Sequence, residues 1–237
     1  MADGIKIGNL DISAFKVGSG DCKVYLGDVE VYSPSHDFVE IGGKKWATMN
    51  VGATSVTDTG LYFQWGDING YTASQCGSGS GQKYFGWADY KYGNGTSSPG
   101  ATGMTKYNST DGKTVLESVD DAATVNMGSG WRMPTEADFN ALSAATTNAW
   151  VTDYQGSGVA GRLFTDKTDS SKVLFFPAAG VCYFGSVYLV GSGGNYWSSS
   201  LNASNVIQGR SLGFSSGSCG MDDNYRCVGV SVRGVVG

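Results

Sequence analysis

The sequence predicts a mixed α+β fold of short antiparallel strands, two helices and long ordered loops, preceded by a small N-terminal β-hairpin segment. Three observations carry that expectation. Charged residues make up only 16% of the 237, while Gly numbers 37 and Tyr 13, a balance that suits short strands and ordered loops better than helices. Apolar residues alternate over short runs, as in Ser211-Leu212-Gly213-Phe214-Ser215, which puts Leu212 and Phe214 on one face of a half-buried strand. Helix-start signals occur at just two places. The 41% of hydrophobic residues is enough for a core in one large domain, or one domain with a small appendage.

The chain opens with an internal echo: Ile7-Gly8-Asn9-Leu10-Asp11-Ile12 returns as Leu26-Gly27-Asp28-Val29-Glu30-Val31. Gly-Asn and Gly-Asp flanked by alternating apolar residues predict hairpins. About thirty residues bury little surface alone, so residues 1–33 are expected to dock on something larger. Ser33-Pro34-Ser35 breaks the pattern and marks the boundary with the domain of residues 34–237. Phe38-Val39-Glu40-Ile41 and Lys44-Lys45-Trp46 flank Gly42-Gly43, a further hairpin signal. Trp46, Tyr62 and Trp65 are most simply core aromatics. Residues 70–114 form a long Gly/Ser/Thr/Tyr stretch, and loops of that length are functional or mobile. Tyr84, Phe85, Trp87, Tyr90 and Tyr92 predict that part of it packs down. Asp120 is the expected N-cap of one helix running to Asn126. Thr135 is the expected N-cap of the second, with Glu136 and Asp138 in its first turn and Phe139 and Leu142 on its buried face. Strands are predicted at Leu174 to Gly180 and Gly185 to Val190, with a turn before Tyr196. The run Gly217 to Val228 shows no periodicity.

Composition narrows the function. Net charge is −5 with no basic cluster, so nucleic-acid binding has no electrostatic support. No apolar run reaches bilayer length, so no membrane insertion is expected, and the N-terminus does not read as a secretory signal. The five Cys (Cys22, Cys76, Cys182, Cys219, Cys227) are odd in number, widely spread and without Cys-x-x-Cys. A disulfide framework or structural zinc site is therefore not expected, and all five thiols are expected to be free. The single His, His36, leaves no Ser-His-Asp set and no His-rich metal site. No catalytic residue, cofactor or metal is expected.

Six motifs occur in order: Lys45-Trp46-Ala47-Thr48-Met49-Asn50-Val51-Gly52, Leu61-Tyr62-Phe63-Gln64-Trp65-Gly66, Gly130-Trp131-Arg132-Met133-Pro134-Thr135, Phe176-Pro177-Ala178-Ala179-Gly180, Tyr196-Trp197-Ser198-Ser199-Ser200 and Ser231-Val232-Arg233. The ordered set resembles the C-type-lectin-type fold shared by formylglycine-generating enzymes, gut-bacterial surface domains and the variable proteins of diversity-generating retroelements. The resemblance runs from about residue 38 to the C-terminus. The N-terminal piece resembles, more weakly, segments of gut-bacteriophage tail proteins.

The variable-protein branch is the most similar, because it carries ligand-binding variability just before a terminal Ser-Val-Arg. There a reverse transcriptase miscopies adenines, mostly in AAC codons. Such substitution yields Ile, Ser, Gly, Asp, Tyr, Cys or Val but never Lys, Glu, Gln, Trp or Met. Residues 211–229 contain no Lys, Glu, Gln or Trp, and Leu212, Phe214 and Met221 would be fixed core positions. Gly213, Cys219 and Cys227, which have no evident structural reason, would be products of random substitution. The resemblance thus implies ligand contact by Ile207, Ser211, Gly213, Ser215, Ser218, Gly220, Asp222, Asp223, Asn224, Tyr225, Cys227 and Val228, with Gln208 joining by position. Tyr225 would be the anchor, and Asp222 and Asp223 would set a negative character. These residue types are also common in loops, so the rival reading is an ordinary turn-rich end of a β-rich domain.

The expected function is a hypervariable receptor-binding or adhesion protein on a virion tail tip or a bacterial surface. Its expected partner is a surface protein or glycan of a host bacterium, with other virion proteins or a second copy meeting the N-terminal segment. The alternatives are an oxidoreductase of the formylglycine-generating type, for which Cys219 and Cys227 are the nearest Cys pair, and a non-diversified structural or carbohydrate-binding domain. A calcium-dependent lectin would need an acidic-Pro-Asn type motif, which the four Pro do not supply.

Overall fold

A computed structural model describes residues 36–128 and 130–237, and of the first 35 residues only the backbone of four short strands. Those are β1 (Lys6–Ile7), β2 (Leu10–Asp11), β3 (Val24–Leu26) and β4 (Val29–Tyr32). β1 pairs with β2 and β3 with β4, both antiparallel, so two hairpins form where the echo predicts them. The Gly-Asn and Gly-Asp turns and the Ser33-Pro34-Ser35 boundary lie outside the described residues.

The rest is α+β, made of small, mostly antiparallel sheets with two helices, and none of the sheets closes into a barrel. β5 (Phe38–Ile41) and β6 (Lys44–Asn50) pair across Gly42 and Gly43, which sit at φ +61° and +73°. A two-residue hairpin with both centres left-handed favours Gly, Asn or Asp, and the sequence supplies two Gly. After β7 (Tyr62–Phe63) the chain runs through residues 70–114 with no named strand and only short 3₁₀ turns. Phe85, Trp87, Tyr90 and Tyr107 of this stretch are buried, while Tyr84 stays exposed.

α1 spans Ala122–Met127 and α2 spans Glu136–Ala145. The N-cap of α1 is Asp121, whose Oδ1 accepts from Thr124 N at 2.9 Å, and not Asp120. Residues Ser118–Asp120 form a 3₁₀ turn just before the helix, which turns the Asp120 carboxylate elsewhere. At α2 the expected cap holds: Thr135 and Asp138 cap each other reciprocally, and Phe139 and Leu142 are buried.

Next come β8 (Thr146–Val151), β9 (Gly161–Asp166) and β10 (Val173–Pro177), which form a three-stranded sheet. β11 (Val181–Tyr183) and β12 (Ser186–Tyr188) make a hairpin, and β12 is shorter than the predicted 185–190 strand. It stops at Leu189, a non-Gly residue at φ +64°. The remaining strands are β13 (Gly193–Leu201), β14 (Gln208–Ser215), β15 (Cys219–Tyr225), β16 (Val230–Ser231) and β17 (Arg233–Val236). The central sheet has the order β15-β14-β13-β16-β7, and β17 pairs with β6.

That sheet separates two core clusters by strand alternation. Trp197 faces a cluster with Trp65, Phe63, Tyr107 and Met133. Its neighbour Tyr196 faces the other way, with Leu212, Phe214, Phe139, Phe164 and Trp46. The terminal Ser-Val-Arg closes the framework. Arg233 is fully buried, and among the described residues it has no carboxylate partner. Instead it donates from Nη1 to Ala47 O at 2.9 Å, from Nη2 to Phe175 O at 3.0 Å and from Nε to Asn50 Oδ1 at 2.9 Å. Burial lowers its pKa to about 10.

The expectation that all thiols are free is overturned: Cys76 and Cys182 form a disulfide, with Cα atoms 6.2 Å apart. Sequence spacing hides it, because the pair is 106 residues apart and meets only when the long loop folds onto β11. Together with Tyr62 and Phe85, Cys182 forms a third small core.

Candidate functional site

The candidate positions fall on the last two strands of the central sheet, and register decides which side each faces. β14 and β15 pair antiparallel with Ser211 opposite Asp222, Gly213 opposite Gly220, and Gly209 opposite Asn224. Directly opposed residues share a face, so Ser211, Gly213, Asn224, Asp222 and Gly220 lie together. Ser215 and Ser218 extend this face across the turn, with their hydroxyls 3.0 Å apart. On the other side Leu212 opposes Met221 and Phe214 opposes Cys219, all against the second core cluster. Leu212, Phe214 and Trp197 are buried, as the alternation requires, and the Phe214 ring stacks on Tyr196 at 5.8 Å.

The run that looks aperiodic is therefore an edge strand. Its alternation is disguised because its inward side changes chemistry along its length. Cys219 and Met221 meet apolar partners, whereas Asp223 meets Arg210 at 2.8 Å, and Arg210 also binds Glu136 of α2 at 2.6 Å. Asp222 and Asp223 thus point to opposite sides. Of the two, Asp222 gives the front its negative character, since Asp223 is turned to the other side, where it shares Arg210 with Glu136.

Three more candidates are corrected by burial. Cys227 and Val228 lie past the end of β15, and are 0% and 6% exposed, so they are core and not contact residues. Ser211 is on the front face but fully covered, and its hydroxyl accepts from Asn224 Nδ2 at 2.8 Å. Gly220, Ser218, Asp222 and Tyr225 are exposed, while Ile207, Gln208, Gly213, Ser215 and Asn224 are half-buried. A Cβ on Gly220 would meet nothing within 4 Å, whereas one on Gly213 would press on Asp222 at 3.2 Å. Gly220 is therefore open to any side chain, and Gly213 has a packing reason after all. So do the two cysteines: Cys219 packs behind the sheet and Cys227 is buried in the first cluster. Neither is in a disulfide. Burial raises both thiols, that of Cys227 to about 12.

One contributor does not show in the sequence pattern. Asn195 of β13 sits opposite Gly213, and its Oδ1 accepts from Asn224 Nδ2 at 3.1 Å. Its alternation with the core residue Tyr196 is the signal that could have placed it.

The face is held at its far end by Tyr225 and Arg226. Tyr225 is 43% exposed and its ring meets Trp87 edge-on at 5.8 Å. Arg226 next to it is fully buried, and its guanidinium lies 4.8 Å over Trp65 and 5.2 Å over Tyr90. It donates to Tyr90 Oη at 2.7 Å, Tyr107 O at 3.1 Å, Val206 O at 2.9 Å and Lys106 O at 2.9 Å. The edge strand is thereby bolted to the long loop. A second knot lies behind that loop: Asp120 accepts from Tyr107 Oη at 2.7 Å, Lys91 Nζ at 3.0 Å, Lys106 Nζ and Tyr92 Oη. Burial alone would raise the Asp120 carboxyl, but those hydrogen bonds outweigh it and hold it well below the usual carboxylate range.

Two shallow grooves flank the strand. One runs over the Gly213–Gly220 notch between Asn195, Asp222 and Ser218. The other lies between the β11–β12 hairpin and the end of β15. Among the described residues no group of three His, Cys, Asp or Glu could hold a metal ion, and no helix is long and apolar enough to cross a membrane. The molecule thus defines an α+β protein with a polar two-strand face backed by the second, aromatic core cluster. No protein-family model matches the chain, and neither a curated protein nor a solved structure matches it.

Proposed function

We propose that this chain is a ligand-display protein: a C-type-lectin-type scaffold whose β14–β15 face carries diversified residues that bind a cell-surface ligand of a host bacterium. One observation carries the reading. Of the positions that the retroelement resemblance marks as variable, Gly213, Ser215, Ser218, Gly220, Asp222 and Asn224 gather on one outward face, with Ile207, Gln208 and Tyr225 at the end of the strand pair, while the fixed positions Leu212, Phe214 and Met221 pack behind it. A surface whose side chains bear little of the fold's stability can change without unfolding its frame. Tyr225 supplies the large, rigid, hydrogen-bonding anchor that binding faces favour. Support from Arg226 and Trp87 lowers the ordering cost of binding.

In this reading the protein sits on a phage tail tip or a bacterial surface, with residues 1–33 attaching it to a virion protein or to a second copy, and it turns over no substrate. Several copies would raise avidity without new contacts. The oxidoreductase alternative is disfavoured by Cys227, because a buried thiol with a pKa near 12 is almost wholly protonated at neutral pH.

The test is sequencing the 3′ coding region of this gene across a natural population, together with its flanking DNA. Substitutions should concentrate at adenine-derived changes in the codons for 213, 215, 218, 220, 222, 224 and 225, with a non-coding near-copy and a reverse-transcriptase gene nearby. Substitutions spread evenly through residues 196–233 would overturn the proposal.

A further inference from the structure

The groove between the β11–β12 hairpin and the C-terminal end of β15 has a chemistry of its own. Its walls are two tyrosines. Tyr225 presents its ring from the edge strand, and Tyr183 from the hairpin, stacked on Phe184 at 3.9 Å. Gln208 and Asn224 line it, with Val181 and Val228 as its apolar floor. Among the described residues, Gln208 Nε2 and Asn224 Oδ1 have no intramolecular partner. The Gln208 oxygen is taken by Asn205 at 2.9 Å, and the Asn224 nitrogen by Ser211 at 2.8 Å. Nor, among the described residues, do the hydroxyls of Tyr183 and Tyr225 have a partner. The groove therefore offers an amide donor, an amide acceptor, two phenols and two ring surfaces. Its one charged side chain, Asp223, is engaged by Arg210 at 2.8 Å.

The hairpin is held firmly in place. Cys182 is tied to Cys76 by the disulfide, and its backbone N and O bond Gly229 O and N, both at 2.8 Å. Phe184 is held at φ +47°, a conformation that non-Gly residues adopt only when the surroundings impose it.

We propose that this groove is a saccharide site. Neutral donors and acceptors between two aromatic walls match a pyranose, which presents hydroxyls at its rim and C–H bonds on its face. The groove's volume of about 310 Å³ is at the lower end of the scale of small-ligand sites, where roughly 300–1,000 Å³ is usual. The inference rests on the ligand-display reading and names its ligand class.

The test uses an array of bacterial surface polysaccharides and intact cells of the strains that supplied them. The cells are untreated, periodate-oxidised to cleave vicinal diols, or protease-shaved. The full chain should bind at least one polysaccharide, and bind untreated and shaved cells but not oxidised ones. Tyr225→Ala and Tyr183→Ala should each weaken binding about tenfold or more, while Tyr225→Phe should keep most of it. Thermal melts confirm that each variant is folded. Binding that survives oxidation and is lost on shaving would overturn the saccharide and leave a protein receptor in its place. Cell binding with no polysaccharide bound, or with both Ala variants unimpaired, would also overturn it. Failure to bind any cell or polysaccharide would count against the saccharide and the ligand-display reading together.

Discussion

The strand β15 and the loop of residues 70–114 look alike in sequence, both irregular and polar, yet they are ordered by opposite means. β15 is regular backbone at the edge of its sheet among the described residues, and Gly220, Asp222 and Tyr225 of its seven residues are exposed. The loop is irregular backbone fixed by its side chains. Phe85, Trp87, Tyr90 and Tyr107 are buried, Asp89, Asn108 and Asp111 hydrogen-bond nearby backbone N–H groups, and Arg226 and Asp120 pin it at two points. Local polar side chains can thus do for a loop what a ladder does for a strand. The difference places variation where the backbone needs no side chains, and rigidity where it depends on them.

Arg226 joins the two regions, so breaking it should have the largest effect. Arg226→Met takes the donor from the buried Tyr107 carbonyl and Tyr90 hydroxyl and from the part-buried Lys106 and Val206 carbonyls, and each buried group so left costs about 1–3 kcal/mol. A loss of about 5 kcal/mol in denaturant melts is expected, with faster amide exchange in residues 104–107. Phe214→Ala tests the support behind the strand and should cost about 4 kcal/mol through the cavity it leaves. The disulfide tests the loop alone. Cys76→Ser with Cys182→Ser should cost about 3 kcal/mol, and thiol titration of the denatured wild type should find two fewer thiols before reduction than after.

The Asp120 knot gives a smaller, pH-dependent effect. Its carboxyl is depressed in the folded protein, so its contribution is complete above the ordinary carboxylate value of about 4. It is lost as pH falls below that value toward the folded pKa. Asp120→Asn should therefore flatten the fall in melting temperature below about pH 4. Superimposable acid profiles would show that the knot does not hold the loop.

Much of this frame was legible in the sequence. Gly42-Gly43 reads as a hairpin turn, Thr135 as a cap, and Leu212 with Phe214 as one face of a strand, because each is a local rule with a local cause. What was hidden depends on distant partners. Asp223 looks like Asp222 until Arg210 and Glu136 arrive from elsewhere in the fold. Cys227 and Val228 look like loop residues until the chain dives into the first core cluster behind Tyr225. Strands β8 and β9 mix polar and apolar residues on both sides and give no clean alternation. The disulfide needs the fold before its cysteines can meet.

The central claim, that the outward face is free to vary while its support is not, is tested most directly with two displayed libraries. One randomises codons 218, 220, 222 and 225, and the other codons 212, 214, 221 and 226. The fraction of folded, protease-resistant members is counted in each. The account predicts that most of the first library folds, since exposed positions shift stability by about 0.5 kcal/mol or less, and that few of the second do. Equal losses in the two libraries would contradict it.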